Sequence, residues 1–278
     1  MYGFILKKNF CDAWDNLLSV VITNIFFLLS GLGILLLSAT FTNKCAETIT
    51  DGAFYGIQLL IMLFGLIVLS IIAFAYGEVA AKIADFKGIT ILDFFKEIPG
   101  VLKDAILFAI LVTAIIFVSG YSLNYYFIQQ QSVFGICVGA LLFWIDIFII
   151  LSLQWFIPLR STMHNKFGKT LKKCFIIFFD NTGYSILLAI NNLVMMALSV
   201  LLIGLVPSIA GIAIAKQNAL RIRLYKYDYL EEHPELKTKK ERKQIPWEEL
   251  IYEDRETLGP RKLRSFLFPW KDDKEQQL

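Results

Sequence analysis

The sequence predicts an all-α, polytopic membrane helix bundle: six transmembrane helices, cytoplasmic interfacial helices and a candidate tandem hairpin repeat. Three observations predict it. Hydrophobic residues make up 56% of the 278 positions and charged residues only 18%, where a soluble domain carries about a quarter. The charge is also uneven, with 12 Lys/Arg and 11 Asp/Glu before Lys216 and 15 and 13 from there on. Finally, uncharged runs of the length that crosses a hydrocarbon core, about 20 residues, recur along the first four fifths of the chain.

Residues 17–39, 54–76 and 105–127 contain no charge, and residues 134–157 contain only Asp146. The 35 uncharged residues between Asp180 and Lys216 are too many for one ordinary span. We divide them at Gly204-Leu205-Val206-Pro207, giving a fifth helix over 184–206 and a sixth over 207–227. Asp180-Asn181-Thr182-Gly183 supplies capping residues before the fifth. Pro207 suits the first position of the sixth, where a missing N–H costs nothing. The sixth helix carries Lys216, Gln217 and Asn218, so a re-entrant or half-buried helix is the alternative there. Lys7 and Lys8 precede an apolar stretch of about 22 residues, too long for a cleaved signal core, so the first span is expected to be retained. The bundle therefore occupies 1–228, and 229–278 form a charged tail.

Orientation follows from the positive loops. Before the tail, eleven of twelve Lys/Arg fall on one side in this topology and only Lys44 on the other. The expectation is a cytoplasmic (inner) membrane protein with both termini in the cytoplasm. Aromatic residues stand at the span ends, where amphipathic rings favour the headgroup level. Trp14, Tyr76 and Trp155 mark the inner boundary, and Phe54, Tyr55, Tyr121, Tyr125 and Tyr126 the outer one.

The segment GITILDFFKEIPGVLKDAILFAI from Gly88 aligns with GKTLKKCFIIFFDNTGYSILLAI from Gly168, with seven of 23 positions identical. Each copy reads as span, interfacial helix, span. The Gly-x-Thr start lets Thr90 or Thr170 cap an amphipathic helix. Ile91, Phe94, Phe95 and Ile98 in one copy, and Leu171, Phe175 and Phe178 in the other, would face lipid or bundle.

Among polar residues inside the spans, Asp146 lies 12 residues below the outer start of its helix, roughly 18 Å down. Lys216, nine residues past Pro207, is placed at a similar depth, and Asp146 and Lys216 form a candidate intramembrane pair. Asn24, Gln58, Asn191 and Asn192 can bond between helices. Gly31-x-Gly33 and Gly135-x-x-x-Gly139 permit close approach.

The tail offers a short acidic helix between Pro246-Trp247 and Gly259-Pro260, then a basic turn from Arg261 to Arg264 and the cluster Phe266, Phe268, Trp270. An apolar cluster after a basic turn is a candidate contact with the protein's own bundle, the bilayer surface or another membrane protein. The net charge of +3 is too small to argue for nucleic acid. Two histidines and four cysteines without CxxC spacing exclude a recognisable zinc motif, and no cofactor motif is present. Cys45 and Cys137 fall near the same outer face, which leaves a disulfide open.

In layout the chain resembles the YesL-like family of uncharacterised bacterial membrane proteins. The resemblance rests on DNLLSVVITNIFFLLSGLG, on LDFFKEIPGVLKDAILFAIL, and on WFIPL followed by GKTLKKCFIIFFDNTGYSILL. It covers roughly residues 15–227. Where that family carries Pro-x-x-Thr-x-Gly at the end of its first span, this chain has GLGILLLSA, and the tail lies outside the resemblance. The family has no agreed activity, and some members sit beside carbohydrate-uptake systems, so no functional residue transfers. Three classes of function are then weighed: a non-enzymatic accessory or assembly component of a transporter or envelope complex, a small-solute transporter using the midplane polar pair, and an intramembrane enzyme. The last lacks any HExxH, DxxD-type or Ser/His constellation.

Overall fold

Asn24, a polar residue seven positions into the first long apolar helix, binds the turn that precedes the last one, 181 residues later. The computed structural model in which this contact is made describes residues 1–45, 49–130, 132–236 and 245–261. All regular structure among them is helical. In order they are α1 (Tyr2–Asp15), α2 (Leu17–Cys45), α3 (Asp51–Ala84), α4 (Ile91–Asn124), α5 (Val133–Leu153), α6 (Phe156–Met163), α7 (Phe167–Asp180), α8 (Thr182–Leu201), α9 (Ser208–Glu232), α10 (Trp247–Leu250) and α11 (Tyr252–Leu258). A π-helical turn, Tyr125–Gln129, extends α4.

Five stretches are long and apolar enough to cross a membrane: Leu17–Cys45, Asp51–Ala84, Ile91–Gln129, Val133–Met163 and Thr182–Leu201. They correspond to the first five predicted spans. Their outward faces are apolar, with Leu35, Leu60, Val118, Phe134 and Leu193 all more than half exposed, as lipid-facing side chains must be. The chain is a multi-pass membrane protein.

Two compact units divide the fold, residues 12–220 and residues 1–11 with 221–278. In the larger, α3 packs along both α2 and α4, α5 against α4, α7 and α8, and α6 against α3 and α7. Close approach is bought with small residues. A Cβ on Gly77 of α3 would collide with Ile157, and one on Gly139 of α5 would lie 3.0 Å from the Phe127 ring. Gly31 and Gly33 meet nothing within 4 Å and leave their face of α2 open.

The sequence reading of the two interfacial segments changes. The first is no separate helix, because α4 runs unbroken from Ile91 through Pro99 into its span. Thr90 starts it: the Asp93 carboxylate accepts from the Thr90 N–H at 2.8 Å, closing a capping box. The second is separate. Helix α7 buries Thr170, Cys174, Ile177 and Phe178, the i, i+4, i+7, i+8 face of an amphipathic helix, and it ends at Asn181. Thr170 therefore lies inside α7 and caps nothing; its hydroxyl bonds back to the Lys166 carbonyl at 3.3 Å.

The inner aromatic boundary is also corrected. Tyr76 and Trp155 are buried within the bundle. Trp155 stacks on Tyr184 with centroids 6.2 Å apart, and its indole donates to Ser185 Oγ at 3.0 Å. An indole with an internal partner gains more from the core than from headgroups. Tyr55 and Tyr121 at the other end are exposed as expected. All four cysteines are free thiols.

In the smaller unit the end of α9 carries residues 245–261. Arg221 holds the Asp254 carboxylate in a two-point fork, Nε at 3.0 Å and Nη2 at 2.9 Å. Tyr225 adds its hydroxyl to the same carboxylate at 3.1 Å. Arg223 lies 4.9 Å from the Trp247 ring centre, and Lys7 donates to the Gly259 carbonyl at 3.0 Å. The acidic helix predicted here is broken at Ile251 into α10 and α11 and closes at Gly259, with φ of 70°.

Candidate functional site

Polar side chains of the larger unit gather at one end of its helices. Arg160, on α6, forms ion pairs with Glu78 of α3 and with Asp104 of α4, the latter at 2.9 Å, and its Nη2 donates to the Gly100 carbonyl at 2.8 Å. One guanidinium fork thus joins three helices. Its side chain is 12% exposed and that of Glu78 8%, so the pair is withdrawn from water. The Gln217 amide donates to the Gly77 carbonyl at 3.1 Å and its oxygen accepts from Thr162 at 3.2 Å. Asn218 donates to Asp12 at 2.7 Å, so the chain enters and leaves this unit at the same end. Gln154 donates to the Ser185 carbonyl at 3.0 Å, and the Tyr184 hydroxyl to that of Ala219 at 3.4 Å.

A second polar feature lies away from that end. Between α8 and α9 the chain turns through Leu202, Ile203, Gly204, Leu205 and Val206, all apolar or glycine. Gly204 sits at φ 75°, a conformation glycine adopts without strain. Asn24 is completely buried. Its amide donates to the Leu205 and Pro207 carbonyls at 2.8 and 3.1 Å, and its oxygen accepts from the Ala210 N–H at 3.0 Å. Backbone broken at membrane depth must find such partners. The turn thus lies beside α2 at Asn24 and Leu28, whose side chain approaches Gly204, and the start of α9 is fixed there.

This placement decides where the predicted pair sits. From Ser208, α9 descends to Gln217 and Asn218 at the polar end, carrying Lys216 with it. Asp146 lies on α5, eight residues before Gln154, roughly 12 Å along the helix. Both residues line one groove of about 630 Å³, together with Ser119 and Gln154. Within it, Asp146 accepts from the Ser119 hydroxyl at 2.6 Å. Among the described residues no ion pair within 4.0 Å joins Asp146 to Lys216. The turn that precedes α9 and sets the course of Lys216 is held at Asn24.

Of the other predicted polar residues, Gln58 bonds Ser38 across α3 and α2 at 2.5 Å. Asn191 turns to Met195 within its own helix. The candidate tail contact, Phe266, Phe268 and Trp270, lies outside the described residues. The Arg160 cluster was missed in the sequence. Its signal was a buried-length charge of each sign, Glu78 and Arg160, just past two span ends on the same side. Among the described residues no group of three His, Cys, Asp or Glu is arranged to hold a metal ion.

Compared with protein-family models, with curated proteins and with solved structures, the chain finds no match.

Proposed function

We propose that this chain is a non-enzymatic, multi-pass component of the bacterial inner membrane that serves as an accessory or assembly part of a transporter or envelope complex. The single observation that carries it is the cross-locking of the bundle at one end. Arg160 ties α3, α4 and α6; Gln217 ties α9 to α3; Trp155 and Gln154 tie α5 and α6 to α8. Helices that must rock past one another in alternating access are poorly served by so many side-chain bonds at one level.

The topology within this reading has four full crossings, α2 to α5, and a last α8–α9 hairpin that enters and leaves on the same side, with both termini in the cytoplasm. The return limb of that hairpin is short. From Ser208 to Ala219 is twelve residues, roughly 18 Å, against a core of about 30 Å. The apolar turn at its tip is at home in hydrocarbon.

A second reading is favoured by one observation, the groove that Asp146 and Lys216 share: a small-solute transporter with those residues on its path. Membrane extracts cross-linked before solubilisation separate the two. An accessory component is captured in a larger assembly through its cytoplasmic side. A transporter reconstituted alone moves solute across liposomes, and Asp146→Asn abolishes the flux.

A further inference from the structure

Lys216 lines two cavities at once. One is the groove it shares with Asp146; the other, of about 290 Å³, lies among α2, α3, α6 and α9. The second is walled by Phe27, Leu66, Leu69, Ile72, Ile209 and Ile212, all apolar. Thr23, Ser70, Tyr76 and Gln217 are its polar members beside Lys216.

Among the described residues the Lys216 ammonium has no hydrogen-bond or ion-pair partner. The acids near it are engaged elsewhere. Glu78, next to Gly77 of the cavity wall, is held by Arg160; Asp146 is held by Ser119; Asp12 by Asn218. The Tyr76 hydroxyl, on the same cavity, has Ser19 in its neighbourhood but no partner at hydrogen-bonding geometry. An ammonium among apolar side chains is costly until an anion meets it. Among the described residues none meets it.

Position narrows the kind of anion. Lys216 immediately precedes Gln217 and Asn218, at the end of the bundle where the chain enters and leaves. In the topology proposed above this end faces the cytoplasmic headgroups, and basic pockets between helices on that face take anionic ones. The apolar wall then runs from Lys216 toward the hydrophobic interior, which suits an acyl chain and not a free solute.

We propose that this cavity binds an anionic phospholipid, with the phosphate on the Lys216 ammonium, the Tyr76 hydroxyl donating to it, and one acyl chain along the wall of α2, α3 and α9. The site goes beyond the accessory role and holds under either functional reading.

Native mass spectrometry of the full chain in detergent tests it, titrating phosphatidylglycerol, phosphatidylethanolamine or inorganic phosphate. The expected result is a lipid adduct formed roughly tenfold more tightly with phosphatidylglycerol than with phosphatidylethanolamine. Lys216→Met removes that preference, Lys216→Arg keeps it, and Tyr76→Phe weakens it several-fold. If Lys216→Met does not fold, the Arg and Phe variants decide alone. Equal binding of the two lipids, or an unchanged preference in Lys216→Met or in Tyr76→Phe, overturns the proposal. Loss of the preference in Lys216→Arg overturns it too, because the charge is kept. Phosphate that competes the lipid off at equal concentration also overturns it, since the site then recognises a free anion.

Discussion

The Arg160 guanidinium of α6 is ion-paired with the Glu78 carboxylate of α3, and both side chains are largely withdrawn from the surface. Asp104 and the Gly100 carbonyl complete the guanidinium's partners from α4. A buried pair of this kind is weak evidence for net stability, but breaking it is expensive, because one charge is left behind. Arg160→Met is therefore expected to cost about 3 to 5 kcal/mol and to lower the unfolding temperature in detergent. Combining it with Glu78→Gln recovers part of the loss. A single variant as stable as the parent would show the pair to be dispensable.

The Asn24 contact makes a separate prediction. Asn24→Leu keeps the volume but strands two carbonyls and one N–H in an apolar setting. A loss of about 2 kcal/mol or more is expected, with faster hydrogen exchange confined to residues around 203–211. Asn24→Asp keeps the acceptor for Ala210 and loses both donors, so it is expected to fall no less than Asn24→Leu. Unchanged exchange in the Leu variant contradicts the role given to Asn24.

Cys174 is fully buried in α7, and burial pushes its thiol up to about 12. A thiol reacts as thiolate, and this one stays protonated at any pH below that value. A variant retaining only Cys174 is expected to resist maleimide at about pH 8 until the protein is unfolded in SDS. Rapid labelling of the folded protein would place α7 away from the bundle.

How much of this was legible beforehand follows from what each feature depends on. The first five spans depend on local hydropathy, and Leu17, Phe54, Phe134 and Tyr184 all fall within three residues of helix starts or inside them. The buried setting of Trp155 depends on Ser185, thirty residues away, and no local pattern distinguishes it from a headgroup anchor. The depth of Lys216 depends on where the α8–α9 turn stops, which Asn24 sets from 181 residues upstream. The pairing of Arg160 with Glu78 joins positions 82 apart, which no local pattern marks. The fusion of the first interfacial segment into α4 ran against Pro99, which a sequence reading treats as a breaker.

The proposed topology is tested by reporters. With both termini in the cytoplasm, green fluorescent protein fused after Leu278 is expected to fluoresce, and alkaline phosphatase at the same place to be inactive. Fused after Lys44, the two reporters are expected to exchange behaviour. An active phosphatase at the C-terminus would mean an odd number of crossings.

The accessory role is tested most directly by the native size of the protein in mildly solubilised membranes. Native electrophoresis would compare the full chain with its Phe266→Ala/Phe268→Ala/Trp270→Ala variant. The account predicts that the full chain migrates in an assembly well above its own 31.7 kDa, with a distinct partner band, and that the triple variant loses it. If the full chain runs at its own mass plus detergent, with no partner and no difference between the two, the account is contradicted.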